Sequence, residues 1–213
     1  MLDLNKTERI LILAPHTDDG EFGCGGTISK LTSMGKEVYY VAFSAAEQSV
    51  LPQFPKDILI SEVKEATGIL GIKRENLILY RYSVRTFNFH RQEILEDILK
   101  LREKIKPDIV FLPSRNDIHQ DHATVTDEAV RAFKYTSILA YEQVWNNFNF
   151  NATCFIKLKE SELDKKIKAL KVYKSQAHRP YASEEYLRAL ASVRGVQVNT
   201  KYAEAFEVIR WII

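Results

Sequence analysis

The sequence alternates short apolar runs with longer stretches of helical spacing, and this alternation limits the fold more than any other feature. Four runs rich in β-branched and aromatic residues predict strands: Ile10–Ala14, Val38–Phe43, Leu77–Tyr80 and Ile109–Leu112. Three stretches between them predict helices: Thr27–Met34, Ile58–Leu70 and Gln92–Ile105. Such alternation predicts right-handed βαβ units, so the fold class is α/β, with a Rossmann-like, mostly parallel sheet covered by helices on both faces.

The rhythm continues to the C-terminus. The predicted helices are Ala123–Phe133, Glu160–Tyr173 and Glu184–Ala191, and the predicted strands are Ile138–Tyr141, Cys154–Leu158 and Ala205–Ile212. An Asn-rich loop is expected at Asn146–Asn151. Because 213 residues without a linker or repeat suit one core, residues 1–213 are expected to form a single domain.

Charge and composition exclude several classes of partner. The 30 basic and 28 acidic residues are mixed along the chain, which argues against nucleic acid or anionic lipid and favours a small polar substrate. Cys24 and Cys154 suffice for neither a disulfide scaffold nor a thiolate metal site and are expected to be reduced. Residues 1–9 are charged throughout, and Ile10–Leu13 is too short for a membrane span or signal core, so we expect a cytoplasmic protein.

Two clusters of imidazoles and carboxylates follow predicted strands. Pro15–Gly20 comes directly after the first strand and contains His16, Asp18 and Asp19; Asn116–His122 comes after the fourth strand. Because the carboxyl ends of parallel strands lie along one edge of a sheet, both clusters should open onto the same crevice. Three protein ligands from His and Asp, with a position left for water, are typical of catalytic zinc, although manganese, iron and cobalt suit the same donors.

The two adjacent aspartates are expected to differ in role. Successive side chains of a loop diverge, so one of Asp18 and Asp19 would bind the metal and the other would act as a base on the attacking water, whose pKa a bound metal lowers to about 7. Alternatively, Asp-Asp-Gly forms a turn and cap for a helix that begins near Phe22, and His119 to His122 form only a helix start. Gly23–Gly26 lacks the spacing of a nucleotide-binding loop and predicts a tight helix entry.

These residues resemble a known family, the LmbE-like or PIG-L-like zinc-dependent de-N-acetylases. Ala14–Asp19 with Gly23–Ile28 is similar to the first family motif, and Asp117–His122 is similar to the second. The resemblance continues in three further segments: Glu62 to Gly71, Tyr173–Gln176 and Tyr202–Phe206.

The resemblance implies roles for particular residues. It implies that His16, Asp19 and His122 bind zinc and that Asp18 is the general base. His119, supported by Asp121, would stabilise the oxyanion and help to protonate the leaving amine. The implied reaction is de-N-acetylation of a sugar or sugar conjugate, and because family members form oligomers, a homo-oligomer is implied as well.

The sequence departs from the family at three positions. Thr17 stands where the family usually has Pro, Gly20 where it usually has an acidic residue, and Leu59 where many members have Arg, three residues before Glu62. Arg85, in a polar loop after the third strand, is a candidate substrate contact, with a solvated loop arginine as the alternative; His178 and Arg179 share that ambiguity. Two other functions stay open: an amidase or esterase with another small substrate, and a non-catalytic sugar-binding protein.

Overall fold

One seven-stranded sheet organises residues 7–212, the part of the chain that this computed structural model describes. The strands are β1 (Arg9–Ala14), β2 (Glu37–Ala42), β3 (Leu77–Leu79), β4 (Ile109–Pro113), β5 (Ser137–Tyr141), β6 (Cys154–Leu158) and β7 (Tyr202–Arg210). Their order is β3-β2-β1-β4-β5-β7-β6. Neighbours are parallel from β3 to β5, and β7 is antiparallel to both β5 and β6, which confirms the mostly parallel sheet.

Six helices within the described residues cover the two faces of the sheet. They are α1 (Asp19–Ser33), α2 (Ile58–Ile69), α3 (Arg91–Ile105), α4 (Gln120–Ala132), α5 (Glu160–Leu170) and α6 (Glu184–Val196). Alternate residues of β1 point to opposite faces, so that Ile10 and Ile12 pack with α1, α2, α5 and α6, whereas Leu11 and Leu13 pack with α3 and α4. Burial on both faces explains why these strands are continuously apolar.

The order in which the chain adds strands to the sheet reverses between the parallel strands β1 and β4. Chain progression runs from β1 outward to β2 and β3, then returns to β4 on the other side of β1. In open α/β sheets the crevice at such a reversal, outside the carboxyl ends of the strands, is where ligands bind. The two polar clusters follow these two strands, so the topology brings them together.

The start of the first helix was predicted wrongly: α1 begins at Asp19, neither at Thr27 nor near Phe22. Gly23–Gly26 lies at a break in α1, where Cys24 has non-helical angles, so this run forms the entry of the second helical segment and not of the whole helix. Four glycines lower the helix propensity of residues 19–26, which made them look like a loop. Long-range contacts at the glycine run compensate for that low propensity.

Residues 1–6, part of the charged N-terminal segment, lie outside the described residues, as does residue 213. Within residues 7–212, each helix is too short or too polar to cross a bilayer.

Candidate metal centre and active site

Three potential ligand atoms form a compact triangle at the crevice. Asp19 Oδ2 lies 3.1 Å from His16 Nδ1 and 3.2 Å from His122 Nε2, and these two nitrogens are 3.3 Å apart. A tetrahedral ion with ligands at about 2.0–2.1 Å needs ligand atoms about 3.3 Å apart. The donor set of two imidazoles and one carboxylate therefore fits a divalent cation without rearrangement.

A second set of three donors overlaps with this triangle. One ring nitrogen from each of His16, His119 and His122 lies within 4.8 Å of the others. Three histidines also form known zinc sites, so this set is an alternative. The triangle with Asp19 is tighter, and its carboxylate offsets part of the charge of a cation, which makes it the better match.

Buried carboxylates orient both histidines of the triangle. Asp117 Oδ2 lies 2.7 Å from His122 Nδ1, and Asp121 Oδ2 lies 3.1 Å from His16 Nε2. Each histidine thus has one ring nitrogen occupied by a carboxylate and the other directed at the common point. This carboxylate–histidine arrangement is typical of metal ligands, since it fixes the tautomer and the ring orientation.

The third ligand candidate is held just as firmly. Asp19 Oδ2 accepts a hydrogen bond of 2.7 Å from the His16 backbone N–H, and Asp19 Oδ1 accepts one of 2.9 Å from Gln143 Nε2. Gln143 is buried and follows β5. Each of the three donors is therefore pre-positioned by a neighbour, so little conformational entropy remains to be lost on binding.

The charges at the centre favour two added positive charges. Burial opposes protonation of His16, but the negative charge of Asp19 and the hydrogen bonds that His16 donates to Asp121 and Asp19 outweigh it and raise the pKa of His16 to about 9. The pKa of His122 is raised to about 10 against burial, chiefly by Asp19 and then by Asp117. The pKa of Asp19 falls below its usual value because the two imidazoles outweigh its burial. A divalent cation would supply the same two charges in place of the protons.

Two further titratable groups face the same centre. Burial, and then the charge of Asp19, raises the pKa of Asp18 to about 7. Burial and the nearby His122 and His16 lower the pKa of His119 to about 4. At neutral pH, His119 is therefore uncharged and Asp18 lies near the midpoint of its titration, as an acid–base group requires.

The backbone ahead of Asp18 is anchored from two distant elements. Tyr40 Oη and Tyr173 Oη each lie 2.9 Å from the carbonyl oxygen of Thr17, and both hydroxyls also contact the carboxyl group of Glu21. Burial raises the pKa of Glu21 to about 8. Protonated Glu21 completes the network, because two phenolic protons alone cannot serve the carbonyl and both carboxyl oxygens.

The Asp121 side chain does not contact the His119 ring that it was expected to support. The Asp121 carboxylate binds His16 and the backbone N–H of Arg85, at 2.6 Å, whereas His119 Nδ1 accepts the Asp121 backbone N–H at 3.1 Å. Asp121 thus supports His119 through its backbone. Arg85 has a φ of +67°, unusual for a residue other than glycine, and its side chain lines the cavity within 3.3 Å of Ser49 Oγ.

A cavity of about 320 Å³ opens above the centre. Its walls include Asp18, His119 and the aromatic pair Trp145 and Tyr181, whose rings stack at 3.8 Å. Leu59 is a buried part of this wall, so the family departure at this position changes the cavity surface itself. Arg179 also lines the cavity, whereas His178 does not.

Sequence reasoning missed several residues of the centre. Asp117 was seen only as part of a cluster, and Gln143, Glu21 and Tyr173 were given no role. For Asp117 the signal was present, since a carboxylate five residues before a ligand histidine can reach its ring. Gln143 has no comparable local signal, because its contact with Asp19 spans 124 residues.

Comparisons with known proteins agree with this geometry. Residues 11–133 match the family model described as PIG-L, GlcNAc-PI de-N-acetylase. The diacetylchitobiose deacetylase of Thermococcus kodakarensis is 22% identical over 96% of this chain and 84% of its own.

Two solved structures share the fold. The N,N'-diacetylchitobiose deacetylase of Pyrococcus horikoshii superposes with a TM-score of 0.83 at 23% identity, covering 97% of this chain and 85% of that one. GalB, the 4-carboxy-2-hydroxymuconate hydratase of Pseudomonas putida KT2440, gives 0.78 at 19%, covering 97% and 98%. Identities this low establish the fold alone. The family model, which spans more than half of the sequence, establishes more: this chain belongs to the PIG-L family.

Proposed function

We propose that this protein is a metal-dependent hydrolase that removes the acetyl group from an N-acetylated sugar or sugar conjugate. The triangle of His16, Asp19 and His122, with Asp18 beside it in a cavity, is the observation that carries the proposal. The family description and the named activity of the Thermococcus relative support the N-acetyl sugar. The cavity volume lies within the range of small-molecule sites.

Zinc is the proposed cofactor, with His16, Asp19 and His122 as its ligands. Two histidines and a carboxylate, with no cysteine near, match hydrolytic zinc sites that keep one position free. When bound there, the cation supplies Lewis acidity, which makes a water molecule more acidic and polarises an amide carbonyl.

Asp18 is the proposed general base. A carboxylate whose pKa is about 7 can take a proton from the water that adds to the acetyl carbonyl carbon. When the C–N bond breaks, the protonated Asp18 can return that proton to the leaving nitrogen. Acetic acid, which keeps the second proton of the water and loses it to solvent as acetate, and a free amine are then released, and the base is regenerated.

His119 is proposed to stabilise the oxygen on which negative charge develops. Its Nδ1 accepts the backbone N–H of Asp121, so in the neutral ring Nε2 carries the proton and can act as a donor, and His119 lines the cavity. A preorganised donor of this kind contributes about 10²–10³ in rate. The family resemblance also implies that His119 helps to protonate the leaving amine.

Arg85 is proposed to contact the substrate beyond the acetyl group. Among the described residues its guanidinium has no carboxylate partner, and Ser49 Oγ is its side-chain contact. A substrate hydroxyl or anionic group can therefore bind to it without displacing an ion pair. We propose that the whole chain, residues 1–213, acts as one catalytic domain, since Gln176 and Tyr181 from its C-terminal third also line the cavity.

Acetate release tests this function. The protein is stripped with a chelator, reloaded with Zn²⁺, and assayed against a panel of N-acetylated sugars and nucleotide sugars. We expect acetate from at least one substrate with the loaded protein and none with the stripped protein. A loaded protein that releases no acetate from any substrate would contradict the proposal. The assay also distinguishes a hydratase, the activity for which GalB of the same fold is named, because a hydratase adds water to its substrate and releases no acetate.

A further inference from the structure

Helix α1 is interrupted one turn after the residues of the metal centre. Cys24 has φ −145° and ψ 26°, outside helical values, so α1 consists of a first segment that starts at Asp19 and a second that continues to Ser33. A kink in a helix has a definite cause, such as proline or a group inserted into its hydrogen-bond ladder. There is no proline in α1.

A buried ion pair from the C-terminal third is inserted at the kink. In an unbroken helix, the Gly26 N–H would donate to the Phe22 carbonyl. At the kink, Glu204 Oε1 accepts the Gly26 N–H at 3.0 Å, and Lys166 Nζ donates to the Phe22 carbonyl at 2.7 Å. Lys166 Nζ also lies 2.7 Å from Glu204 Oε1, and Glu204 Oε2 accepts the Thr27 N–H at 2.6 Å. The pair thus binds the donor and the acceptor that an unbroken helix would join, at the end of the first helix segment and the start of the second.

The glycine run provides the space for this pair. A Cβ on Gly25 would lie 2.9 Å from Lys166 Cγ, and one on Gly26 would lie 2.4 Å from Leu158 Cδ1 and 3.2 Å from Glu204 Oε1. Real Cβ atoms do not approach so closely. Gly25 and Gly26 therefore serve the approach of these side chains to the helix backbone.

A gain in the free energy of folding does not explain why this ion pair is buried. Lys166 on α5 and Glu204 on β7 are both buried, and burying two charges costs about as much as their attraction returns. The pair is better explained by its contacts with the α1 backbone, which hold this helix in one bent conformation. Asp19 starts the segment whose far end, at Phe22, is bound by Lys166.

We propose that Lys166 and Glu204 are positioning residues for the metal centre: they hold α1 bent, so that its first turn presents Asp19 to the two histidines. Without them, the Gly26 N–H can return to the Phe22 carbonyl and straighten the helix, which turns Asp19 away from the triangle. The inference rests on the proposed role of Asp19.

Zinc affinity and hydrogen exchange test this inference together. The variants are Lys166→Met and Glu204→Gln, and Leu101→Ala on the opposite face of the sheet is the control that lowers stability without touching α1. We expect Zn²⁺ affinity, measured by competition with a chelator, to fall about 10–100-fold in both pair variants. Amide exchange over residues 18–23 of the metal-free protein should accelerate, because a first segment that turns away loses tertiary contacts such as the bond from the Gly20 N–H to Tyr40 Oη. The control should lower the thermal midpoint and leave Zn²⁺ affinity unchanged.

The double variant Lys166→Met/Glu204→Leu keeps the test decisive if a single variant does not fold. It leaves no unpaired buried charge, so we expect it to fold, with weakened Zn²⁺ binding. A folded pair variant with wild-type Zn²⁺ affinity and wild-type exchange over residues 18–23 would overturn the inference. If the wild-type protein itself binds no Zn²⁺, the proposed function fails, and the exchange measurement still decides whether the pair holds the kink.

Discussion

The two segments that form the centre differ in the share of their hydrogen bonds that is local. In the β4 segment, residues 114–122, Asp117 accepts the His119 N–H at 2.8 Å and binds the His122 ring, and His119 accepts the Asp121 N–H, although the Asp121 carboxylate reaches His16 and the backbone of Arg85. The β1 segment, residues 15–23, depends on partners far away in sequence, including Tyr173 and Gln143. Short-range hydrogen bonds therefore fix much of the β4 segment, whereas residues distant in sequence fix most of the β1 segment.

This contrast assigns different weaknesses to the two segments. A change at Asp117 should act within the β4 segment, whereas a change at Asp121 should also reach His16. A change anywhere among the distant partners of the β1 segment should be felt at Asp18 and Asp19. The following variants test that difference, from the largest expected effect to the smallest.

The largest effect is expected from Asp18→Asn. The amide cannot take a proton, so kcat should fall by about 10²–10⁴ while Zn²⁺ stays bound. In contrast, His122→Ala should lose the metal, because it removes a corner of the triangle. Metal analysis and acetate release on both variants check the assignment, and metal loss from Asp18→Asn with retention by His122→Ala would reverse it.

The carboxylates behind the histidines give the next effect. Asp121→Asn and Asp117→Asn should each weaken Zn²⁺ binding by about 10–100-fold, because the imidazoles lose their orienting partners. Asp117→Asn should in addition increase amide exchange at His119, whose N–H it binds, so the local segment loosens around it. Equal exchange at His119 in both variants would argue against a role of Asp117 in holding the backbone of the β4 segment.

Two glycine substitutions compare crowded and open helix positions. Gly26→Ala should lower the free energy of unfolding by about 1–3 kcal/mol, because its Cβ would meet Leu158 at 2.4 Å. Gly68→Ala, in α2 with no atom within 4 Å of the added Cβ, should raise it by about 0.5–1 kcal/mol. Chemical denaturation measures both, and a neutral Gly26→Ala would show that the helix tolerates displacement of the pair.

The smallest effect is expected at the rim. Arg85→Gln should raise KM by about fivefold, equivalent to about 1 kcal/mol for an exposed charged contact, and leave kcat unchanged. Arg81→Gln, an exposed neighbour paired with Glu47 outside the cavity wall, is the matched control. An unchanged KM in Arg85→Gln would show that Arg85 is a solvated loop arginine, which is the alternative that the sequence also allows.

The same contrast explains what the sequence predicts and what it does not. All seven strands and six α-helices of residues 7–212 were recognised from their apolar spacing, although the first eight residues of α1 were missed. The positions of His16 and His122 after two parallel strands predicted that they converge. The kink at Cys24 and the partnership of Lys166 with Glu204 were not predicted, because they join residues 38 to 178 positions apart. Glu204, between the alanines Ala203 and Ala205, was a local signal of a buried polar role.

The central claim is that His16, Asp19 and His122 hold a divalent cation. Anomalous diffraction at the zinc absorption edge, from crystals grown with Zn²⁺, tests it most directly. The account predicts one peak about 2.0–2.2 Å from His16 Nδ1, Asp19 Oδ2 and His122 Nε2, with His119 outside the coordination sphere. A peak bound by His119 in place of Asp19, or no peak at this crevice in an active crystal, would contradict it.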